Sequence, residues 1–132
     1  MRNASKITRG ISFVSKKDRQ VKVVTNDDEY KFAQKLEEDE TVVCYHTSVS
    51  LENWTQRIYL TNIRKAYREA EWLTSFVVEY ADGTTAAYEI IRLYHLEKRA
   101  EVEKLEISRR YWNAVGINKW QMIVMKGAGY GN

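Results

Sequence analysis

The chain has 132 residues, 44% hydrophobic and 12% aromatic, with 21 basic against 18 acidic side chains for a formal charge of +3. Such a length predicts one domain spanning residues 1–132, large enough to bury a core without metal or disulfide, and the apolar content excludes disorder as its default state. Proline is absent, so neither slow X–Pro isomerisation nor a polyproline linker enters the description.

In chain order, Ile7 to Val14 and Val21 to Val24 flank a polar stretch and predict a β-hairpin, with Arg19, Val21 and Val23 on one face. Thr25 or Asn26 then caps a helix whose acidic first turn, Asp27-Asp28-Glu29, suits the positive end of the helix dipole. Tyr30, Ala33 and Leu36 give this helix its apolar face, and it ends near Glu40. Thr41 to Thr47 is β-prone throughout. Trp54 to Leu60 predicts a second strand, after a turn at Leu51-Glu52-Asn53.

From Asn62 to Leu73 strong helix formers predict a helix, with Arg64, Arg68 and Trp72 at i, i+4 and i+8 along its polar side. Phe76 to Tyr80 and Thr84 to Ile91 surround Asp82-Gly83, a hairpin signal; a helix starting at Ala86 is the competing expectation. Leu93 to Asn113 predicts the longest helix, closed by Gly116. Its apolar residues fall on two sides, Leu96, Ala100, Ile107 and Tyr111 against Val102, Leu105 and Trp112. One sheet cannot cover both, so a second copy of the chain is expected to cover one. Trp120 to Met125 closes as a strand, and 126–132 forms a flexible tail. The fold class is therefore α+β: a mostly antiparallel sheet with about three helices, the longest near residues 93–114.

Few residues point to catalysis. Cys44 and His46 lie two apart on a strand and share a face, but neighbours so placed point outward side by side and do not make a nucleophile–base pair. Zinc needs four ligands, or three and water, and only Cys44, His46 and His95 offer thiol or imidazole, so no metal and no cofactor are expected. The acidic pairs are explained by a helix start and a helix end. Gly127-x-Gly129-x-Gly131 precedes no helix and cannot make a dipole-assisted phosphate loop.

What remains is the repeated meeting of ten arginines with sixteen aromatic residues. Guanidinium pairs with phosphate in a fork and rings stack on bases, a combination suited to flat anionic ligands. Arg57 and Arg109 are the expected anion contacts, with Trp54 and Trp112 as stacking or wall residues; Arg64, Arg68 and Trp72 form a reserve site. Arg109 falls inside an apolar stripe, which calls for a carboxylate or a ligand anion beside it. The expected function is non-catalytic binding of an anionic nucleotide-type or nucleic-acid ligand, held at a subunit interface of a homodimer or higher multiple. The alternative is a protein–protein inhibitor or adaptor working on a host protein through Tyr, Trp and Arg anchors. Small size, missing proline and a Lys/Glu/Tyr-rich make-up suit a phage or other mobile-element accessory protein. The single cysteine points to a reducing compartment, and the N-terminus lacks the apolar stretch of a signal peptide. With no apolar run long enough to span a bilayer, a cytoplasmic protein without membrane contact is expected.

Overall fold

A computed structural model describes residues 10–117 and 119–125, so the Ile7 end of the first hairpin and the 126–132 tail lie outside the described residues. Among the described residues six strands form two sheets and three α-helices pack around them, an α+β fold in which most strand pairs are antiparallel. Among the described residues no helix is long and apolar enough to cross a membrane.

β1 (Ile11–Val14) and β2 (Val21–Val24) make the expected hairpin, registered Ile11 opposite Val24. Its inward residues on β2 are Lys22 and Val24, while Val21 points to solvent. Burying Lys22 is tolerated because its Nζ donates to the Asp18 carboxylate at 2.8 Å and to the Tyr45 carbonyl at 2.7 Å. α1 (Asp27–Glu38) begins at Asn26, whose side chain accepts from the Glu29 amide at 2.9 Å, and it buries Ala33 and Leu36.

The larger sheet has the order β3-β4-β5-β6. β3 (Val42–Ser50), β4 (Leu73–Tyr80) and β5 (Thr85–Arg92) pair antiparallel, and the Asp82-Gly83 turn joins β4 to β5 with Gly83 at φ +90°. The strand reading of Thr84 to Ile91 is the correct one; Ala86 and Ala87 are fully buried ladder residues. β6 (Lys119–Met125) closes the sheet in parallel with β5. One face packs Tyr45, Phe76, Val78 and Tyr88 against α1 and the hairpin. The other packs Val77 and Ala87 against Ile107, Tyr111 and Trp112 of α3 (Arg99–Ala114).

Three expectations need correction. Trp54 to Leu60 is not a strand. Asn53 takes a left-handed conformation (φ 54°) and α2 (Trp54–Arg57) follows, with Trp54 4% exposed and its indole donating to the Ala70 carbonyl at 3.1 Å. Burial of one large ring overrides β-propensity here. Asn62 to Leu73 is not a helix either. Asn62 is left-handed (φ 63°), Arg64 is extended, and only Lys65–Tyr67 makes a 3-10 turn before β4 begins. Local helix formers lose to the anchoring of Ile63 in the core and of the Trp72 carbonyl on the Leu51 amide.

The long helix is also shorter than expected. Leu93–Glu97 is a 3-10 segment, Lys98 is extended, and α3 starts at Arg99, ending ahead of Gly116 at φ +100°. Its two apolar sides merge into one. Leu105, Ile107, Tyr111 and Trp112 are all buried within this chain, with the fully buried Ser108 between them. At 100° per residue they span an arc of about 160°, wide but single. Val102 and Leu96 stay exposed.

Candidate functional site

A cleft of about 500 Å³ opens between the end of β3 with the turn into α2 and the irregular Arg68–Trp72 segment leading into β4. Leu51, Trp54 and Leu73 supply apolar wall; Ser48, Ser50, Asn53 and Thr55 supply hydroxyls and an amide; Arg68, Glu52, Glu69 and Glu71 supply charge. Two of these residues hold left-handed backbone without being glycine, Ser48 at φ 50° and Asn53 at φ 54°. Such conformations cost about 1 kcal/mol or more each and persist only where packing enforces them. The Ser48 hydroxyl is fixed by donating to the Val23 carbonyl at 3.1 Å, and Trp54 by its bond to Ala70.

Trp72 has an unusual position in this wall. Its ring meets Tyr67 edge-on at 5.8 Å, and its indole Nε1 is buried with no hydrogen-bond partner among the described residues. An unmet buried donor costs about 1–3 kcal/mol and is uncommon enough to require an explanation.

The cleft unites three of the residues expected from sequence, Trp54, Arg68 and Trp72, from two different groups of that expectation. The others go elsewhere. Arg57 sits on α2 and donates from Nε to the Glu52 carbonyl at 3.3 Å. Arg64 binds Glu103 of α3 at 2.9 Å, sharing that carboxylate with Arg99, and stacks 4.7 Å from the Tyr67 ring centroid. Arg109 pairs with Glu106 at 2.7 Å on the exposed flank of α3, so its partner is the carboxylate one turn earlier. Trp112 is core, its indole donating to Thr74 Oγ1 at 2.7 Å. Arg57 and Arg109 take different partners, and it is Arg110 that reaches the Tyr59 carbonyl, at 2.8 Å. The polar lining of Ser48, Ser50 and Asn53 went unread in the sequence, where nothing but the Asn53-Trp54 turn position marked it.

The carboxylates of these ion pairs are tuned downward. The Arg64 hydrogen bond holds Glu103 below the ordinary glutamate value, and the Arg109 hydrogen bond does the same for Glu106. On the opposite side of the sheet Arg92 grips Asp28 through both carboxylate oxygens and lowers its pKa.

A second cluster lies away from the cleft, where β3 meets β4. Cys44, His46 and Glu79 each present a donor atom, all within 4.8 Å of one another. Burial raises the Cys44 thiol, with Glu79 adding to the effect. His95, the other histidine, accepts from the Arg92 amide at 3.0 Å and takes no part.

The sequence matches no protein-family model, and no curated protein matches it.

Proposed function

We propose that the protein is a non-catalytic binding domain whose cleft takes a small nucleotide-type ligand. The observation that carries this reading is the placement of two tryptophans and Arg68 around one space of about 500 Å³, within the usual range of roughly 300–1,000 Å³ for small-molecule sites. Arg68 is exposed and makes no ion pair among the described residues, so it is available to a phosphate. The rim hydroxyls and Asn53 suit a sugar.

Charge narrows the class. One arginine stands among three glutamates in the lining, which disfavours a polyanion and favours a ligand with one phosphate and several donor groups. A long duplex fits this less well than a mononucleotide.

Calorimetry of the full chain against a panel of nucleoside monophosphates tests the reading. Binding by the unmodified protein, weakened at least about tenfold in Arg68→Ala with an unchanged melting temperature, supports it; that factor corresponds to the lower end for a charged hydrogen bond. No binding at millimolar ligand, or identical binding by Arg68→Ala, overturns it.

A second reading, an adaptor or inhibitor acting on another protein or on a second copy of the chain, is favoured by Leu93, Tyr94 and Leu96. These stand 66%, 41% and 37% exposed within one short segment. Such grouped apolar exposure marks interaction surfaces. Leu93→Glu with Leu96→Glu should then abolish a complex seen by sedimentation while leaving cleft binding untouched.

A further inference from the structure

We propose that Cys44, His46 and Glu79 form a binding site for a zinc-class divalent cation, with a fourth coordination position open to solvent. Cys44 and His46 alternate onto the same face of β3, and a β-bulge at Val43 shifts the register so that Cys44 stands opposite Glu79 of β4. Without the bulge Val43 would face Glu79 and the thiol would turn to the other side of the sheet. The irregularity is thus what gathers three different donors on one face.

The dimensions suit tetrahedral coordination. Zinc bonds of about 2.0–2.3 Å to nitrogen, oxygen and sulfur imply donor–donor edges of about 3.3–3.8 Å. His46 Nε2 and Glu79 Oε2 are already 3.4 Å apart, and no donor lies farther than 4.8 Å from another. The remaining distance is within reach of small torsional changes, because the His46 and Glu79 side chains are 54% and 49% exposed. That exposure also leaves the outward position free for water. A thiolate in the set selects against calcium and magnesium, and imidazole with carboxylate places zinc, cobalt and their neighbours first. Asp18 lies close enough to interact electrostatically with both Cys44 and His46 and adds negative charge there. Lys22, which opposes this, is occupied by Asp18 and the Tyr45 carbonyl. On binding, Cys44 coordinates as thiolate and its proton passes to solvent.

The chain's one cysteine and two histidines make the test self-contained. The full chain, stripped with EDTA, is titrated with Co²⁺ and followed by absorption, then challenged with Zn²⁺. One equivalent should give a near-ultraviolet sulfur-to-cobalt band and intense visible bands of tetrahedral cobalt, both displaced by zinc. Cys44→Ser should abolish the sulfur band. His46→Gln and Glu79→Gln should each weaken binding at least about tenfold, with unchanged circular dichroism, while His95→Gln binds normally. His46 is half-exposed and tolerates replacement, so His46→Gln decides the matter if Cys44→Ser fails to fold. Absence of the sulfur band in the unmodified protein, or unaltered affinity in His46→Gln, leaves only a His46–Glu79 surface pair and overturns the site.

Discussion

Ser108 of α3 donates a 2.6 Å hydrogen bond to the carboxylate of Glu89 on β5, and Glu89 is 1% exposed. The bond ends a continuous chain. The Trp112 indole donates to Thr74, Thr74 lies 3.3 Å from Ser108, and Trp120 also donates to Ser108, at 2.9 Å. Lys104 approaches the other Glu89 oxygen at 3.8 Å. One carboxylate therefore terminates a polar seam that ties α3, β4, β5 and β6 together inside an otherwise apolar layer.

Removing that terminus should be costly. Glu89→Ala leaves Ser108 and Ser75 without their acceptor in a dry site and should lower stability by about 2–3 kcal/mol, or about 10 °C in melting temperature. Glu89→Gln keeps an acceptor oxygen and should lose less. Thermal melts of both variants check the order; equal loss would mean that the charged carboxylate, not packing volume or a single acceptor oxygen, sets the effect.

Acid should destabilise the fold through Asp28. The Arg92 hydrogen bonds, ahead of the opposing effect of burial, hold its folded-state pKa below the ordinary 3.8. A depressed carboxyl contributes stability above its unfolded value, and that contribution is lost as pH falls from about 4 downward. Melting temperature should be flat from pH 7 to 5 and fall below about pH 4. Asp28→Asn should melt lower at pH 7, by about 1–2 kcal/mol in stability, and show a shallower fall in acid.

Arg109→Ala should change little. Its partner Glu106 is one turn away on the helix surface and keeps a second arginine, Arg110, at 2.7 Å. The expected loss is below about 0.5 kcal/mol, a shift of about 2 °C or less. A drop of several degrees would show that Arg109 has a structural partner beyond Glu106.

Trp72→Phe removes the unmet indole donor while keeping a ring in the cleft wall. Because the residue borders an open cleft, the smaller ring widens the groove instead of leaving a sealed void. Melting temperature should hold or rise by a few degrees. A melting temperature lowered by several degrees would show that the indole ring's packing outweighs its unmet donor.

The fold class was legible because its signals are local: the Asp82-Gly83 turn, the Asn26 cap, and the β-prone run of β3. The two misread segments share a cause. Trp54 to Leu60 and Asn62 to Leu73 are shaped by where Trp54 and Ile63 are buried, which local propensity does not encode, and by left-handed Asn53 and Asn62. The two-sided helix was misjudged by counting apolar residues alone; Ser108, small and buried, joins the two sides. For the cleft, Arg68 and Trp72 could be grouped in advance, but not joined to Trp54, since that required the irregular backbone between. The grouping of Cys44 and His46 with a carboxylate lay outside a count limited to thiol and imidazole. Its carboxylate, Glu79, comes from another strand and depends on a bulge that no sequence pattern announces.

The parallel pairing of β6 with β5 sets an order of events. β5 can join β4 as soon as the Asp82-Gly83 turn closes, but its other edge waits until all of α3 has been laid across the sheet. A chain emerging from the ribosome therefore carries an open, apolar strand edge bearing Tyr88, Ile90 and Ile91 for as long as Lys119–Met125 remains unmade. Refolding should be limited by this late, long-range closure, and a fragment ending ahead of Lys119 should associate through β5 with its own copies instead of persisting as a smaller stable domain.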